Sequence, residues 1–262
     1  MRKLILVDEV WNVIKDVLDP PHKKPRAGRP TSDAKKIFAA IFFMTENNVK
    51  WKNLPRELGA RSTVHGRLMA WARSGALEKT FVLMRNVYLS LGANFENWCS
   101  TDTSLAKASR ARFSGKNPTD RGKQGIKKAV LCDSNGAPLV LDVFPANMHD
   151  SKTLKSLLVQ AKQFCTAPLT IIAADSAYDA KSLRANAAKS NFVLHAATNK
   201  RGTKKDVPVI KPQQRWVVEA THSWLNNYRG VRICEAKTKA SYMGFLFIAA
   251  TTVLFQKVLI FG

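Results

Sequence analysis

Apolar residues in this chain recur with a helical period up to about residue 90 and with a strand period after that, and this change of period is what most narrows the folds open to it. Val10, Val13, Ile14 and Val17 share one helical face, before Pro20-Pro21 and the basic stretch 22–30 break the pattern. Asp33 is placed to cap a second helix running to about Met44, with Ile37, Phe38, Ile41 and Phe42 as its apolar stripe. Trp51 then leads through Leu54-Pro55 into a short helix ending at Gly59. Ser62 or Thr63 is expected to cap the next helix, with Val64, Leu68 and Trp71 facing in and His65, Arg67 and Arg73 facing out. Residues 51–75 read as a helix-turn-helix.

From Trp98 the runs 98–105, 126–132, 138–144, 169–174 and 192–197 have strand character, and Ser134-Asn135-Gly136 is a hairpin turn between the second and third. Helical segments near 151–164, 179–190, 213–229 and 240–260 separate or follow them. The expectation is a small all-α domain over 1–92 followed by an α/β domain over 93–262.

Charge limits the partners. The 262 residues carry 42 Lys and Arg against 19 acidic residues, a formal net charge of +23. The excess is shared, +9 over residues 1–90 and +14 over 91–262, so neither half is a mere basic tail. A polyanion is implied, either a nucleic acid on which the chain does chemistry or one that it packs by charge alone. The four cysteines, at 99, 132, 165 and 234, form no close pair, so neither a zinc site of usual spacing nor a disulfide scaffold is suggested, and a reduced, cytoplasmic setting at the nucleoid fits. Residues 242–261 are the one stretch with membrane-like hydropathy, interrupted by Gln256 and Lys257, and are read as a buried helix, with no membrane partner.

Three acids stand where acids are costly. Asp102 lies in the strand run Cys99-Ser100-Thr101-Asp102, and Asp175 ends the apolar strand Thr170-Ile171-Ile172-Ala173-Ala174. Ligands gather at such strand ends. Glu219 sits in a helix among Val217, Val218 and Trp224. Three carboxylates on separate elements are enough to hold two Mg²⁺ ions, or Mn²⁺ in their place, and such a pair of ions activates an attacking oxygen and stabilises a leaving one in phosphodiester chemistry. Each acid also has a plainer role, Asp175 as a helix cap and Glu219 as the partner of Arg215 one turn away.

The motifs Trp51-Lys52-Asn53-Leu54-Pro55, Asp102-Thr103-Ser104, Asn117-Pro118-Thr119-Asp120-Arg121-Gly122-Lys123-Gln124-Gly125 with Lys127, Ala146-Asn147-Met148-His149-Asp150-Ser151, Ala174-Asp175-Ser176-Ala177-Tyr178-Asp179 and Arg215-Trp216-Val217-Val218-Glu219 with Trp224-Leu225 resemble one family over nearly the whole length. Trp11, Gly28-Arg29-Pro30, Ser62-Thr63-Val64 and Trp71 extend the likeness. The family is the bacterial insertion-sequence transposases with an Asp-Asp-Glu triad, in the group named after insertion sequence five. The resemblance implies a ribonuclease-H-like catalytic domain (a mixed sheet flanked by helices), metal-dependent cutting at the inverted repeats that end the element, and joining of the freed 3′-hydroxyl to target DNA. It also implies a homodimer or larger assembly on double-stranded DNA, and it maps the triad onto Asp102, Asp175 and Glu219. Two positions depart from the pattern. Ser176-Ala177 replace the usual glycine before Tyr178, and of the signature around the last acid Arg215 is present while Pro212 and Asn226 occupy the tyrosine and lysine positions.

Eight bases and one acid lie between 107 and 128, where Arg112, Lys116, Arg121, Lys123, Lys127 and Lys128 read as phosphate contacts beside the first aspartate. Lys200, Arg201, Lys204 and Lys205 form a second basic stretch leading to Arg215, and Arg61, His65, Arg67 and Arg73 a third set in the helical domain. Asp150 or Ser151 is expected to cap the helix after it, Asp179 to cap another, and Trp51, Trp71 and Trp216 to sit in the core, while His149 and His222 are left between structural and phosphate-donating roles. If phosphate contacts carry the affinity, a salt titration of DNA binding will show log affinity falling by about 0.9 per contact for each tenfold rise in salt. A flat response would exclude this electrostatic reading.

Overall fold

The computed structural model describes residues 2–20, 32–92, 98–165, 170–197 and 212–261. They belong to two compact units, one of helices (Met1–Leu91, Arg110–Arg112 and Leu225–Gly262) and one built on a sheet (Gly92–Ser109 and Phe113–Trp224). The expected single domain over 93–262 is thereby corrected at its end, because the last stretch supplies the helical unit with its longest helix.

In the helical unit, α1 (Arg2–Leu18), α2 (Ala34–Asn47), α3 (Arg61–Arg73) and α4 (Ala76–Ser90) are joined by α8 (Arg229–Arg232) and α9 (Lys239–Phe261). Asp33 caps α2 as expected, its carboxylate accepting from the Lys35 and Lys36 N–H groups, and Asn48 ends the helix in the left-handed region. The stripes of α1 and α2 meet through Trp11 and Phe38, whose rings lie 5.7 Å apart. Trp71 is core, and its Nε1–H donates to the Leu18 carbonyl at 3.0 Å. By length and composition α9 is apolar enough to cross a membrane, yet most of its residues from Ser241 to Phe255 are buried in this unit. Small residues allow that packing: a Cβ at Gly244 would stand 2.9 Å from Leu77.

The helix-turn-helix is composed differently from the sequence expectation. Residues Trp51–Asn53 and Arg56–Leu58 form two 3₁₀ turns, not an α-helix, because Pro55 stands between them and Gly59 (φ 115°) ends the second. α3 begins after Ala60 with no side-chain cap, which corrects the Ser62 or Thr63 assignment. The tight helix-to-helix turn is Ser74-Gly75, with Gly75 left-handed at φ 72°, between α3 and α4.

Among the described residues the other unit is a six-stranded mixed sheet of β1 (Trp98–Lys107), β2 (Gly115–Lys116), β3 (Gln124–Asp133), β4 (Pro138–Pro145), β5 (Thr170–Ala174) and β6 (Phe192–Ala196), with α5 (Leu154–Ala161), α6 (Lys181–Ala188) and most of α7 (Pro212–Asn226). β3 runs antiparallel to β1 on one edge and to β4 and the short β2 on the other, and β1 continues into β5 and β6 by parallel pairing. Three antiparallel strands continued by two parallel ones, with helices on the sheet, is the ribonuclease-H-like architecture that the resemblance implies. The two-residue β2 had no signal in the residue pattern, and the expected helix at 213–229 is two helices, α7 and α8.

The turn at Ser134-Asn135-Gly136 forms as expected, held by the Asp133 carboxylate, which accepts from Asn135 N–H and Ala137 N–H at 3.0 and 2.8 Å. Gly136 has φ 75°, and a Cβ there would lie 2.7 Å from the Trp224 ring. Its carbonyl accepts from Thr221 Oγ1 at 2.9 Å, so α7 is docked on this turn. Gly136→Ala should therefore cost about 1–3 kcal/mol in urea unfolding, from left-handed backbone strain and overpacking together. A neutral result would mean that α7 does not seat on this turn.

Candidate active site

The site begins with register. In the parallel pair Ser100 lies opposite Ala173, so Asp102 and Asp175, each two residues further on, stand at the same level of neighbouring strands and on the same face. Each carboxylate turns one oxygen back to the next backbone N–H, Asp102 to Thr103 at 2.7 Å and Asp175 to Ser176 at 2.5 Å, the latter opening the turn Ser176–Tyr178. The plainer capping role of Asp175 is thus real, and it is compatible with a ligand role for the other oxygen. Burial is the first cause that raises the Asp102 carboxyl to about 6, with the like charges of Asp175 and Asp150 adding to it and the Thr103 N–H and Arg215 opposing. Buried Tyr178 feels Asp102, Asp150 and Asp175 together, and its hydroxyl is 3.4 Å from Thr153 Oγ1.

α7 covers this same face. His222 lies against the Asp102 backbone and near Lys128, and burial first, then Lys128, holds its imidazolium form down to a pKa of about 3. It is buried, as the structural one of the two roles left open for it requires. Glu219 is on the outer side of α7, 57% exposed, with its carboxylate 3.6 Å from Arg215. Among the described residues no three His, Cys, Asp or Glu side chains converge closely enough to hold a metal ion. The structure therefore brings Asp102 and Asp175 together and leaves Glu219 in its ion pair.

Two expected phosphate contacts are corrected. β3 is covered on both faces, so the successive Lys127 and Lys128 are both buried although they point to opposite sides. Lys128 is 0% exposed, and burial lowers its ammonium to about 8. Lys127 Nζ is 2.7 Å from Asp150 Oδ1 and donates to the Met148 carbonyl at 2.7 Å. Arg112, Lys116, Arg121 and Lys123 are exposed. Arg121 and Gly122 occupy the left-handed region (φ 51° and 73°) of a turn closed by Lys123 N–H on the Asp120 carbonyl at 3.0 Å, which presents Arg121 at its tip. In the helical unit Arg61, His65 and Arg73 are exposed, His65 stands edge-on to Trp51, and Arg67 lies 5.7 Å from the Trp71 ring centre. Lys200, Arg201, Lys204 and Lys205 lie outside the described residues, as does Gly28-Arg29-Pro30.

Trp216 is 64% exposed, which corrects its expected core position: on α7 it lies beside Arg215, while Val217 and Val218 take the inward side. The capping assignments shift as well. His149 Nδ1, not Asp150 or Ser151, accepts the Ser151 N–H, and Asp179 pairs with Arg184 at 2.7 Å while Ala180, with no side-chain cap, is the N-cap of α6. The residue that sequence reasoning missed is Asp150, which the fold places on the Thr103 hydroxyl and Lys127, within electrostatic reach of Asp102. The two consecutive lysines in an otherwise apolar β3 were its signal, since buried cations demand an acidic partner.

Asp102 carries a pH prediction. Its folded pKa lies above the unfolded value near 3.9, so the uncharged form is favoured on folding and its contribution to stability is lost as pH rises through about 6. Metal-free Asp102→Asn should melt at a higher temperature than the unsubstituted chain at pH 8, with the gain shrinking below pH 4. An equal gain at both pH values would place the cause elsewhere.

Comparison with known proteins supplies the family. Residues 98–255 match the family model "Transposase DDE domain", and residues 6–81 match "Putative transposase of IS4/5 family". A transposase for insertion sequence element IS402 of Burkholderia cepacia is 34% identical over 125 residues, 45% of this chain and 57% of that protein. One for IS6501 of Brucella ovis is 30% identical over 130 residues, 48% of this chain and 95% of that protein. The chain thus spans somewhat over half the length of its Burkholderia relative. Among solved structures it is similar to a piggyBac transposase synaptic complex (12% identity, TM-score 0.45, covering 96% of this chain and 74% of that one) and to the catalytic core of BIV integrase (16%, 0.34, 58% and 81%). The first family match covers Asp102, Asp175 and the helix of Glu219, more than half of the chain, and on that ground this protein belongs to the DDE transposases.

Proposed function

We propose that this transposase cuts DNA at the ends of an insertion element and joins the freed 3′-hydroxyl to target DNA, with Asp102, Asp175 and Glu219 as its catalytic acids. The observation that carries the reading is the pair of carboxylates brought to one level by the parallel register of β1 and β5, Asp102 within β1 and Asp175 just past the end of β5. A half-buried pair of hard oxygen donors fits a divalent cation, because the ion offsets first the desolvation and then the like charge of Asp175 that raise Asp102. Two ions of Mg²⁺ or Mn²⁺ would supply activation of the attacking oxygen and stabilisation of the leaving one. Asp102 and Asp175 would hold them, and Glu219 would complete the set by giving up Arg215. Arg215 is then available to a phosphate oxygen from the same helix face. Exposed Lys116, Arg121 and Lys123 hold the duplex by its backbone, with Arg61, His65, Arg67 and Arg73 as further contacts.

In the first step water attacks the phosphorus and the bond to the 3′-oxygen breaks, leaving a 3′-hydroxyl. In the second that hydroxyl attacks a target phosphodiester, so one ester bond forms as another breaks. The protein acts in the cytoplasm at the nucleoid and pairs two element ends as a homodimer or larger assembly. A second reading, a transposase-derived protein that binds a DNA sequence without cutting it, is favoured by one observation, the exposed ion pair of Glu219. Purified protein, element-end DNA and Mg²⁺ distinguish the two. The expected result is nicked and joined products, lost by at least a hundredfold in each of Asp102→Ala, Asp175→Ala and Glu219→Ala. Binding without cleavage by the unsubstituted chain would establish the second reading, and an active Glu219→Ala would remove that residue from the set.

A further inference from the structure

On the sheet face opposite Asp102, the backbone of β1 is gripped by a short polar chain. Thr103 follows Asp102, and its side chain points to the face that also carries Lys127, since Thr103 lies opposite Ala129 and Leu105 opposite Lys127. Thr103 Oγ1 donates to Asp150 Oδ1 at 2.5 Å. Lys127 Nζ reaches the same carboxylate at 2.7 Å and the Met148 carbonyl at 2.7 Å, with 9% of its side chain exposed. Thr153 Oγ1 in turn donates to the Asp150 carbonyl at 2.8 Å. The loop Met148–Asp150 is thus tied to β3 by a buried cation and to β1 by a hydroxyl, and the residue so tied is the one whose N–H binds the Asp102 carboxylate at 2.7 Å.

We infer that Thr103 and Asp150, clamped by Lys127, are positioning residues that hold the Asp102 carboxylate in the orientation in which it binds a divalent ion. The inference rests on the metal-site reading of Asp102 and Asp175 and extends it to three residues to which the family match gives no role. The physical reason is orientation. A carboxylate beside a second one gains by rotating away, and a backbone N–H resists that rotation only if the peptide itself is fixed. Asp150 fixes the peptide through the Thr103 hydroxyl. Lys127 holds Asp150 in place, and burial of the lysine makes that ion pair costly to break from one side.

The test is Mn²⁺ binding to the full chain without DNA, followed by the electron paramagnetic resonance of free Mn²⁺ and paired with the metal-free melting temperature of each variant. Thr103→Val keeps the side-chain shape and removes the hydroxyl, and it should weaken Mn²⁺ binding about tenfold or more. Thr103→Ser keeps the hydroxyl and should bind within about twofold of the unsubstituted chain. Asp150→Asn, which keeps an acceptor oxygen and loses the charge that holds Lys127, should weaken binding in the same direction and serves if Thr103→Val does not fold. Thr103→Val binding Mn²⁺ as the unsubstituted chain does would overturn the inference, and so would Thr103→Ser binding as weakly as Thr103→Val. If the unsubstituted chain binds no Mn²⁺, the metal-site reading itself fails and this inference falls with it, a different outcome from failure of the variants alone.

Discussion

Two aspartates held at one level of two parallel strands repel each other, and the arrangement around them keeps them there. Register leaves no choice about their neighbourhood, because once Ser100 lies opposite Ala173 the two acids share a face and a height. Burial then raises the cost of ionising Asp102, and the protein offsets it with single N–H donors and with Arg215 at some remove, not with a close cation. Such a site is costly for an empty fold and well matched to a bound ion, the pattern expected where function and stability pull apart.

The surroundings follow from that pair. β3 carries two lysines through the middle of the sheet, and they serve opposite faces: Lys127 neutralises Asp150 behind β1, while Lys128 lies under α7 with His222. Both are buried, so their charge is structural. Exposed positive charge lies on the tight turn of Arg121 and on Arg215. α7 is seated by Thr221 and Trp224 on the glycine turn of β3 and β4, which fixes the helix that carries Glu219 even though Glu219 itself points outward.

Most of the elements were legible because period and punctuation report local geometry. Asp33 and Asn135-Gly136 marked a cap and a turn, and alternation marked five of the six strands. What was not legible depends on contacts between distant parts of the chain. Lys127 and Lys128 read as a surface pair because nothing in their own segment says that both faces of β3 are covered. Asp150 read as a cap since its partners are 23 and 47 residues away, and Trp216 read as core because bulk outweighed its place beside Arg215. The C-terminal helix was recognised as buried, but its membership of the helical unit is invisible to any local pattern.

The central claim is that Asp102 and Asp175 share a divalent ion, and the most direct measurement is anomalous X-ray scattering from crystals soaked in Mn²⁺. The account predicts a peak about 2.0–2.3 Å from a carboxylate oxygen of each aspartate. A well-ordered sheet unit with no peak there, or with Mn²⁺ bound only at other acids, would contradict it.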